Sequence, residues 1–256
     1  TTLTLTRVSV TSNVSTGEGA GINNPGTLIL NDVDVANNTG GSGGGGIYST
    51  GTITYNGGTL SGNSAGATGG GLRIFGTATF TNVTISGNSS PSDGGGIYNS
   101  GTTTLTNSTV SGNTATAGGS GIFIVGGDTL YLNNVTIYGN LTSKGIEKGT
   151  GSAAITSFKN TIIAGNAAGN CSIAFTSGGY NLESTTNTCG FTGTGDQNSV
   201  TAGNLNIGAL ANNGGPTQTH ALLAGSFAID KIPNGTNGCG TTITTDQRGT
   251  ARPQNV

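Results

Sequence analysis

The sequence predicts an all-β fold: a right-handed parallel β-helix, or three-sheet β-solenoid, with about 25 residues per coil and a distinct C-terminal capping segment. Three observations predict it. Gly-rich steps that lead into a hydrophobic residue recur at a fixed spacing, beginning at Gly19, Gly44, Gly69, Gly94 and Gly119. An Asn column recurs at nearly the same spacing, at Asn13, Asn38, Asn63, Asn88, Asn113, Asn140 and Asn166. Composition agrees, because Gly contributes 50 of the 256 residues and only 7% of residues are charged.

Two short alternating runs lie between these columns in each coil. Residues Thr77–Thr81 are an example of the first run, and Val83–Ile85 of the second. Such alternation predicts strands, because successive side chains of a strand point to opposite faces. The residues after each Gly step, such as Ile97-Tyr98, predict a third strand. Three strands and three turns per coil predict a triangular coil and, on stacking, three parallel sheets.

Two apolar columns predict the interior of the tube. The first is Leu5, Leu30, Tyr55, Phe80, Leu105 and Leu132, and the second is Val10, Val35, Leu60, Ile85, Val110, Ile137 and Ile163. We expect the Asn column to form a ladder inside the tube, in which each amide bonds the next and satisfies backbone groups at the corner. No single coil buries its own apolar face, so stability is expected to come from neighbouring coils.

The chain is expected to divide into stacked coils over residues 1–168 and a C-terminal coil and cap segment over 169–256. Within the coils, the stretch 141–151 predicts an inserted charged loop, because it holds Lys144, Glu147 and Lys148 in a chain with few charges. One more coil is predicted from Ile155, Ile162 and Ile163. Beyond it the Gly-rich step no longer recurs.

Motifs of the C-terminal third resemble those of a known family. They are Gly178–Leu182, Gly214–Leu222, Ala228–Asp230, Asp246–Gly249 and Arg252-Pro253. Together with the repeats they are similar to the bacterial choice-of-anchor Q domain proteins, over roughly residues 10 to 256. The Gly-Gly-Gly-Ile and Ser-Gly-Asn steps also resemble the repeats of polymorphic outer-membrane proteins.

The resemblance implies a secreted or surface-anchored bacterial protein whose family has no defined function. The chain departs from the family pattern at both ends. It lacks the Cys-Thr-Leu-Arg-Glu-Ala-like cap expected upstream of the repeats, and no anchor sequence follows Val256. An extracellular or cell-surface location is therefore an expectation from the resemblance.

Three cysteines in an apparently secreted chain leave one without a partner. Cys171 and Cys189 flank the Gly-Tyr-Asn-Leu motif, and a disulfide between them is expected to be worth roughly 3 kcal/mol; two buried thiols are the alternative. Cys239 is the odd cysteine. The resemblance implies a partner in the upstream cap, and an intermolecular partner is the other hypothesis.

A polar cluster near the C-terminus has two interpretations. It consists of Asp230, Asp246, Arg248 and Arg252, with the single histidine, His220. Paired carboxylates beside arginines could serve acid–base chemistry on a sugar. The structural interpretation is favoured: ion pairs, above all Asp230 with Arg248, would tie the tail onto the last coil, and His220 would be a hydrogen-bonded strand residue. No second His and no ligand spacing indicates a metal or cofactor.

The favoured function is that of a non-enzymatic extracellular structural or adhesive protein that self-assembles head to tail. The N-terminal residues Thr2, Leu3, Thr4 and Leu5 predict a strand with no cap before it. An open strand edge templates the addition of another strand, and a head-to-tail contact gives filaments because it does not close. The strand-like segment 241–245 is the expected partner of that edge.

Two alternatives stay open at this stage. Many enzymes that cleave polysaccharides use this fold, but fold alone does not imply function, and the outward positions here are mostly Thr, Ser, Asn and Gly. Binding of a polysaccharide or of ice is the other alternative, since Thr recurs in two columns. These are Thr2, Thr27, Thr52, Thr77, Thr102 and Thr129, and two residues on, Thr4, Thr54, Thr79 and Thr104.

Partner classes follow from charge and hydropathy. A formal net charge of -2 leaves no basic footprint for nucleic acid. No apolar run reaches the length of a membrane span. The expected partners are further copies of the chain, cell-surface components or glycans. Asn-x-Ser/Thr sequons such as Asn82, Asn107 and Asn134 are expected by-products of an Asn- and Thr-rich repeat.

Overall fold

The chain forms a parallel β-solenoid, which a computed structural model describes over residues 1–252. The predicted fold class is confirmed. Pro253, which belongs to the predicted C-terminal motif, lies outside the described residues. Three stacked sheets surround one interior, and a short antiparallel pair lies in the C-terminal segment.

Sheet 1 has 13 strands and runs the length of the stack. Its strands are Thr2–Thr6, Ser9–Thr11, Thr27–Ala36, Thr52–Ser61, Thr77–Ser86, Thr102–Thr106, Thr109–Ser111, Thr129–Asn133, Thr136–Tyr138, Ile155–Lys159, Ile162–Ala164, Leu182–Ser184 and Gln197–Val200. Sheet 2 contains Ile22–Asn24, Ile47–Ser49, Leu72–Ile74, Ile97–Asn99, Ile122–Ile124 and Ile146–Lys148. Sheet 3 contains the two-residue strands Val14–Ser15, Thr39–Gly40, Ser64–Ala65, Ser89–Ser90 and Thr114–Ala115.

The predicted interior columns are the core of the molecule. Phe80 pairs in parallel register with Tyr55 on one side and with Leu105 on the other, one coil away in each direction. Both predicted columns are buried, except that Leu5 and Val10 of the first coil are only partly covered. Parallel sheets normally have both faces covered. Here the inner face is covered by the other two sheets.

The two predicted runs of each coil belong to one sheet rather than two. A bend separates a first limb, such as Thr77–Thr81, from a second limb, such as Val83–Ser86. The bend residue has a positive φ in successive coils: Arg7, Asp32, Gly57, Asn82, Asn107, Asn134 and Asn160. Asn tolerates this left-handed conformation better than most residues. The third sheet instead follows the Asn column, at short strands that alternation could not reveal.

The Gly-rich step allows the coils to approach closely. A Cβ built on Gly71 would lie 2.7 Å from the carbonyl oxygen of Gly96 and 3.0 Å from Cγ of Asn88. Both distances are shorter than side chains accept, so Gly is required where the backbone passes the Asn ladder. The periodic Gly residues therefore serve backbone packing.

The Asn column forms the predicted ladder. In each coil Nδ2 donates to Oδ1 of the next Asn, at 2.9 to 3.0 Å, through Asn13, Asn38, Asn63, Asn88, Asn113, Asn140 and Asn166. Each Oδ1 also accepts the backbone N–H of the preceding ladder residue, as Asn88 does from Asn63 at 2.9 Å. Asn166 ends the series by donating to Oδ1 of Asn170 at 3.0 Å.

The predicted inserted loop is misplaced, because within 141–151 Ile146–Lys148 pairs in register with Ile122–Ile124 in sheet 2. Extra residues lie at 125–128, where Asp128 N–H closes a turn onto the carbonyl of Val125, and at 149–154, before Ile155–Lys159. Past residue 168 the parallel stack continues into the predicted C-terminal coil and cap segment, since sheet 1 extends to Val200. No helix within residues 1–252 is long and apolar enough to cross a membrane.

Candidate functional site

The C-terminal segment returns along the outside of the solenoid. After Val200 the chain makes a short helix, Ala202–Leu205, and then an antiparallel hairpin of Ile207–Ala211 with Thr219–Leu222. We call the stretch from Ile207 to Arg252 the tail. Thr84 Oγ1, on the second limb of the fourth coil, donates to the carbonyl oxygen of Gln218 at 2.6 Å. The tail also contacts the last coils, where Gln197 Nε2 donates to the carbonyl oxygen of Phe227 at 3.2 Å. It therefore docks along the flank of several coils and not on the last coil alone.

Gln247 connects the docked tail to the solenoid through its side-chain amide. Its Oε1 accepts from Thr109 Oγ1 at 2.8 Å, and its Nε2 donates to Thr84 Oγ1 at 2.9 Å. The same Nε2 donates to Thr217 Oγ1 at 2.9 Å. All four side chains are buried. One amide thus joins two adjacent coils to two segments of the tail.

Three bend residues hold the other side of the tail. Asn107 Nδ2 donates to the carbonyl oxygen of Thr245 at 2.9 Å. Asn160 Oδ1 accepts from Asn237 Nδ2 at 3.1 Å, and Asn134 Oδ1 accepts from Nη1 of Arg252 at 3.1 Å. These Asn residues occupy the left-handed bend column and also bind the tail.

His220 pins the hairpin of the tail to the solenoid. Its Nδ1 lies 2.8 Å from the carbonyl oxygen of Gly208, so Nδ1 donates. Its Nε2 lies 2.9 Å from Ser111 Oγ and accepts in the neutral ring. The ring packs edge-on against Tyr138 at 4.8 Å. Burial lowers the pKa of His220 below its usual 6.5, and the contact with the Gly208 carbonyl opposes this only in part. The predicted structural role of His220 agrees with these contacts.

Docking of the tail is expected to weaken as the pH falls below about 6.5. The folded pKa of His220 is lowered, so between the two pKa values the unfolded tail binds more protons, and stability rises with pH. Amide hydrogen-exchange protection of Ile207–Ala211 should fall on acidification relative to that of Thr77–Ser86. A His220→Gln variant should remove this pH-dependent difference. Equal pH dependence in both proteins would contradict the assignment.

The predicted ion pair between Asp230 and Arg248 is wrong. Arg248 pairs with Asp246, with Nη2 2.6 Å and Nε 2.9 Å from Oδ2. Asp246 Oδ1 accepts the backbone N–H groups of Arg248 and Thr250. This pair closes a turn within the tail. Asp230 is exposed and takes part in no salt bridge within residues 1–252.

Asp230, Asp246, Arg248 and Arg252 nevertheless line one cavity. The cavity lies between the tail and the second limbs of the fifth to eighth coils and measures about 520 Å³. We call it the tail cleft. Its solenoid wall includes Val135, Thr136, Ile162 and Leu182, and its tail wall includes His220, Ile229 and Lys231.

The predicted disulfide is confirmed, and Cys239 is the cysteine left over. Cys171 and Cys189 form the predicted disulfide, with their Cα atoms 4.9 Å apart. Cys239 is a free, buried thiol beside the Arg252 guanidinium. An intermolecular disulfide through Cys239 stays a prediction, and it would require the tail to move.

A buried carboxylate organises the end of the stack. Glu183 is fully buried, and its Oε1 accepts from the backbone N–H of Thr188 at 2.8 Å and from Thr188 Oγ1 at 2.7 Å. Its Oε2 accepts the backbone N–H of Cys189 at 2.9 Å. Asn170, which accepts from the last ladder residue Asn166, donates to the same carboxylate at 3.3 Å. Sequence reasoning missed Glu183, although it is the one acidic residue between Glu147 and Asp196.

The outward side of the first limbs carries the two predicted Thr columns, which we call the Thr face. Strand pairing keeps Thr52, Thr77 and Thr102 in register, as it does Thr54, Thr79 and Thr104. Every residue of the two columns from Thr2 to Tyr131 is exposed or half-exposed. Ile29 and Tyr131 replace Thr in the second column.

Comparisons of the chain with protein-family models, with curated proteins and with solved structures find no match. The resemblance to the choice-of-anchor Q domain proteins therefore stays a prediction. Within residues 1–252, no group of three or more His, Cys, Asp or Glu side chains is placed to hold a metal ion. The Thr face and the tail cleft are the two surfaces from which function can be argued.

Proposed function

We propose that this protein is a non-enzymatic, extracellular adhesive β-solenoid that binds a neutral, hydroxyl-rich repeating polymer on its Thr face. The observation that carries the proposal is the lattice of hydroxyls on consecutive coils. Thr77 pairs with Thr52 and Thr102, and Thr79 pairs with Thr54 and Thr104, with no break in register.

The dimensions of the lattice suit a repeating ligand. Residues two apart on a strand are about 6.6 Å apart, and adjacent coils about 4.8 Å apart. The two columns hold no ionisable side chain from Thr2 to Thr129, so nothing in them favours a charged ligand. A rigid array loses little conformational entropy on binding, and many weak contacts to one polymer add up.

The two limbs of sheet 1 have different surroundings. On the second limb Thr84 and Thr109 are buried under Gln247. On the first limb Thr79 and Thr104 are half-exposed. This difference supports the first limb as the surface that meets a partner. The disulfide between Cys171 and Cys189 supports an oxidising, extracellular location.

Replacing Thr54, Thr79 and Thr104 together by Glu is expected to weaken retention on a neutral polysaccharide at least about tenfold, because each carboxylate must lose water at the contact. The measurement is co-sedimentation with microcrystalline cellulose and with chitin. The matched control replaces Ser64, Ser89 and Thr114 by Glu. These outward residues lie on three consecutive coils of sheet 3, and their replacement should leave retention unchanged.

Failure of the wild-type protein to sediment with either polymer would reject the proposal, as would equal loss in both triple variants. Ice is the alternative ligand for a Thr lattice. Thermal hysteresis that is lost with Thr54, Thr79 and Thr104, without polysaccharide retention, would favour ice over a polymer.

Head-to-tail self-assembly through Thr2, Leu3, Thr4 and Leu5 stays a prediction. The expected partner segment 241–245, however, lies on the flank of its own solenoid, where Thr245 accepts from Asn107. Assembly through that segment would require the tail to leave its docked position.

A further inference from the structure

The tail cleft has the size and lining of a small-molecule site. Its volume of about 520 Å³ falls in the range of pockets that enclose small ligands. Val135, Ile162 and Leu182 form an apolar wall, and Ile229 faces them from the tail. Thr136, Gln197 and Gln247 add polar groups to the lining. This combination of an apolar body and few polar groups is typical of ligand sites.

The charges that line the cleft do not cancel. The cations are Lys231, Arg248 and Arg252, and the acids are Asp230 and Asp246. Three positive and two negative charges leave one positive charge in excess. Burial lowers the pKa of His220 and so favours its neutral form, which adds no charge to this count. A monoanion therefore matches the cleft, whereas a dianion would face two carboxylates with too little compensation.

Arg252 is the cation with capacity to spare. The carboxylate of Asp246 is occupied by Arg248 through two nitrogens. Arg252 donates from Nη1 to the neutral amide of Asn134, and no carboxylate within residues 1–252 forms a salt bridge with it. Its Nε is buried and has no hydrogen-bond partner among the described residues. The Cys239 thiol and the Asp246 carboxylate, which Arg248 already holds, lie near the guanidinium. Arg252 therefore has no carboxylate of its own among the described residues, and an anion in the cleft would supply one.

We infer that the tail cleft binds a small organic carboxylate, with the carboxylate on Arg252 and the body of the ligand on the wall formed by Val135, Ile162 and Leu182. The site is separate from the Thr face, so the inference does not depend on the proposed function. The shared chemistry is one carboxylate on a body with an apolar face. Ligands of this kind are aromatic acids, aliphatic acids and sugar acids.

The test uses the full chain and two pairs of probes, each an acid with a neutral counterpart. Benzoate is compared with benzyl alcohol, and galacturonate with galactose, by NMR titration of the labelled protein. At least one acid should bind at least tenfold more tightly than its counterpart, with shifts centred on Thr136, Ile162 and Leu182. The pair that responds identifies the source of the carboxylate. Equal binding of acid and neutral probe, no binding, or shifts confined to the Thr face would overturn the inference.

Arg252→Gln should weaken binding of that acid at least tenfold while leaving the Asn134 contact possible. Arg7→Gln is the matched control, since Arg7 is an exposed Arg of the first coil, and it should bind as the wild type does. Amide exchange of the tail hairpin shows whether Arg252→Gln leaves the tail docked. If the tail of Arg252→Gln is not docked, the inference is judged on the wild-type protein, by whether the acid shifts Thr136, Ile162 and Leu182. Unchanged binding in a docked Arg252→Gln variant would also overturn the inference.

Discussion

Replacing Asn88 by Ala is expected to lower the free energy of unfolding by about 4 kcal/mol, because buried polar groups left without partners cost about 1–3 kcal/mol each. Asn88 Nδ2 donates to the carbonyl oxygen of Leu60 at 2.8 Å and to Oδ1 of Asn113 at 3.0 Å. Its Oδ1 accepts from both the backbone N–H and Nδ2 of Asn63 at 2.9 Å. Ala removes all four hydrogen bonds, and the partners that lose them are buried away from water.

The matched control is Asn56→Ala. Asn56 also bonds to an Asn one coil away, donating to Oδ1 of Asn31 at 3.1 Å, but this pair is exposed. Water replaces the lost partner, so the expected loss is about 0.5 kcal/mol or less. Urea unfolding followed by circular dichroism compares the two variants. If the two variants differ by less than about 1 kcal/mol in free energy of unfolding, the ladder contributes little to stability. That result would contradict the expectation that buried polar groups need hydrogen-bond partners.

The ladder was predictable because its cause is local and periodic. A corner that must satisfy its backbone in every coil selects the same residue each time, so Asn63, Asn88 and Asn113 recur at one spacing. The apolar columns were predictable for the same reason. The bend column was within reach of the same argument. Asn82, Asn107 and Asn134 recur in step, and the left-handed conformation explains them better than their sequons do.

The position of the tail was not predictable. It docks on hydroxyls such as Thr84 and Thr109, which are the same residue type as the uncovered Thr79 and Thr104. An outward Thr is equally suited to water and to a packed amide, so composition cannot separate covered from exposed coils. The predicted ion pair was wrong because Asp246 lies two residues before Arg248 in the same turn and pairs with it there. The prediction had paired Arg248 with the more distant Asp230 to tie the tail onto the coils.

Glu183 could not be predicted from the sequence because it is not part of the repeat. A single acid in an uncharged stretch has no period and no partner pattern. Its importance comes from the loop that follows, which folds back so that backbone N–H groups of Thr188 and Cys189 meet the carboxylate. The ladder ends on this group through Asn170. The carboxylate thus joins the repeating interior to the non-repeating cap.

Glu183→Ala is expected to destabilise the protein by about 4 kcal/mol, since hydrogen bonds to charged groups are worth about 1.5–3 kcal/mol each. Thr188 N–H and Oγ1, Thr186 Oγ1 and Cys189 N–H would all lose a buried acceptor. Asp34→Ala is the control. Asp34 also accepts two hydrogen bonds, from Thr59 N and Oγ1, but it is exposed. Its loss should cost no more than about 0.5 kcal/mol.

The same unfolding measurement can be repeated with the disulfide reduced. Reduction of the Cys171–Cys189 bond alone is expected to cost about 3 kcal/mol. Both constraints act on one cap, so reduction in the Glu183→Ala background should cost less than it does in the wild type. Additive losses would mean that the carboxylate and the disulfide hold independent parts of the chain. A subadditive result would mean that the cap opens as one unit, exposing Phe191 and Phe158, which it now buries at the end of the stack.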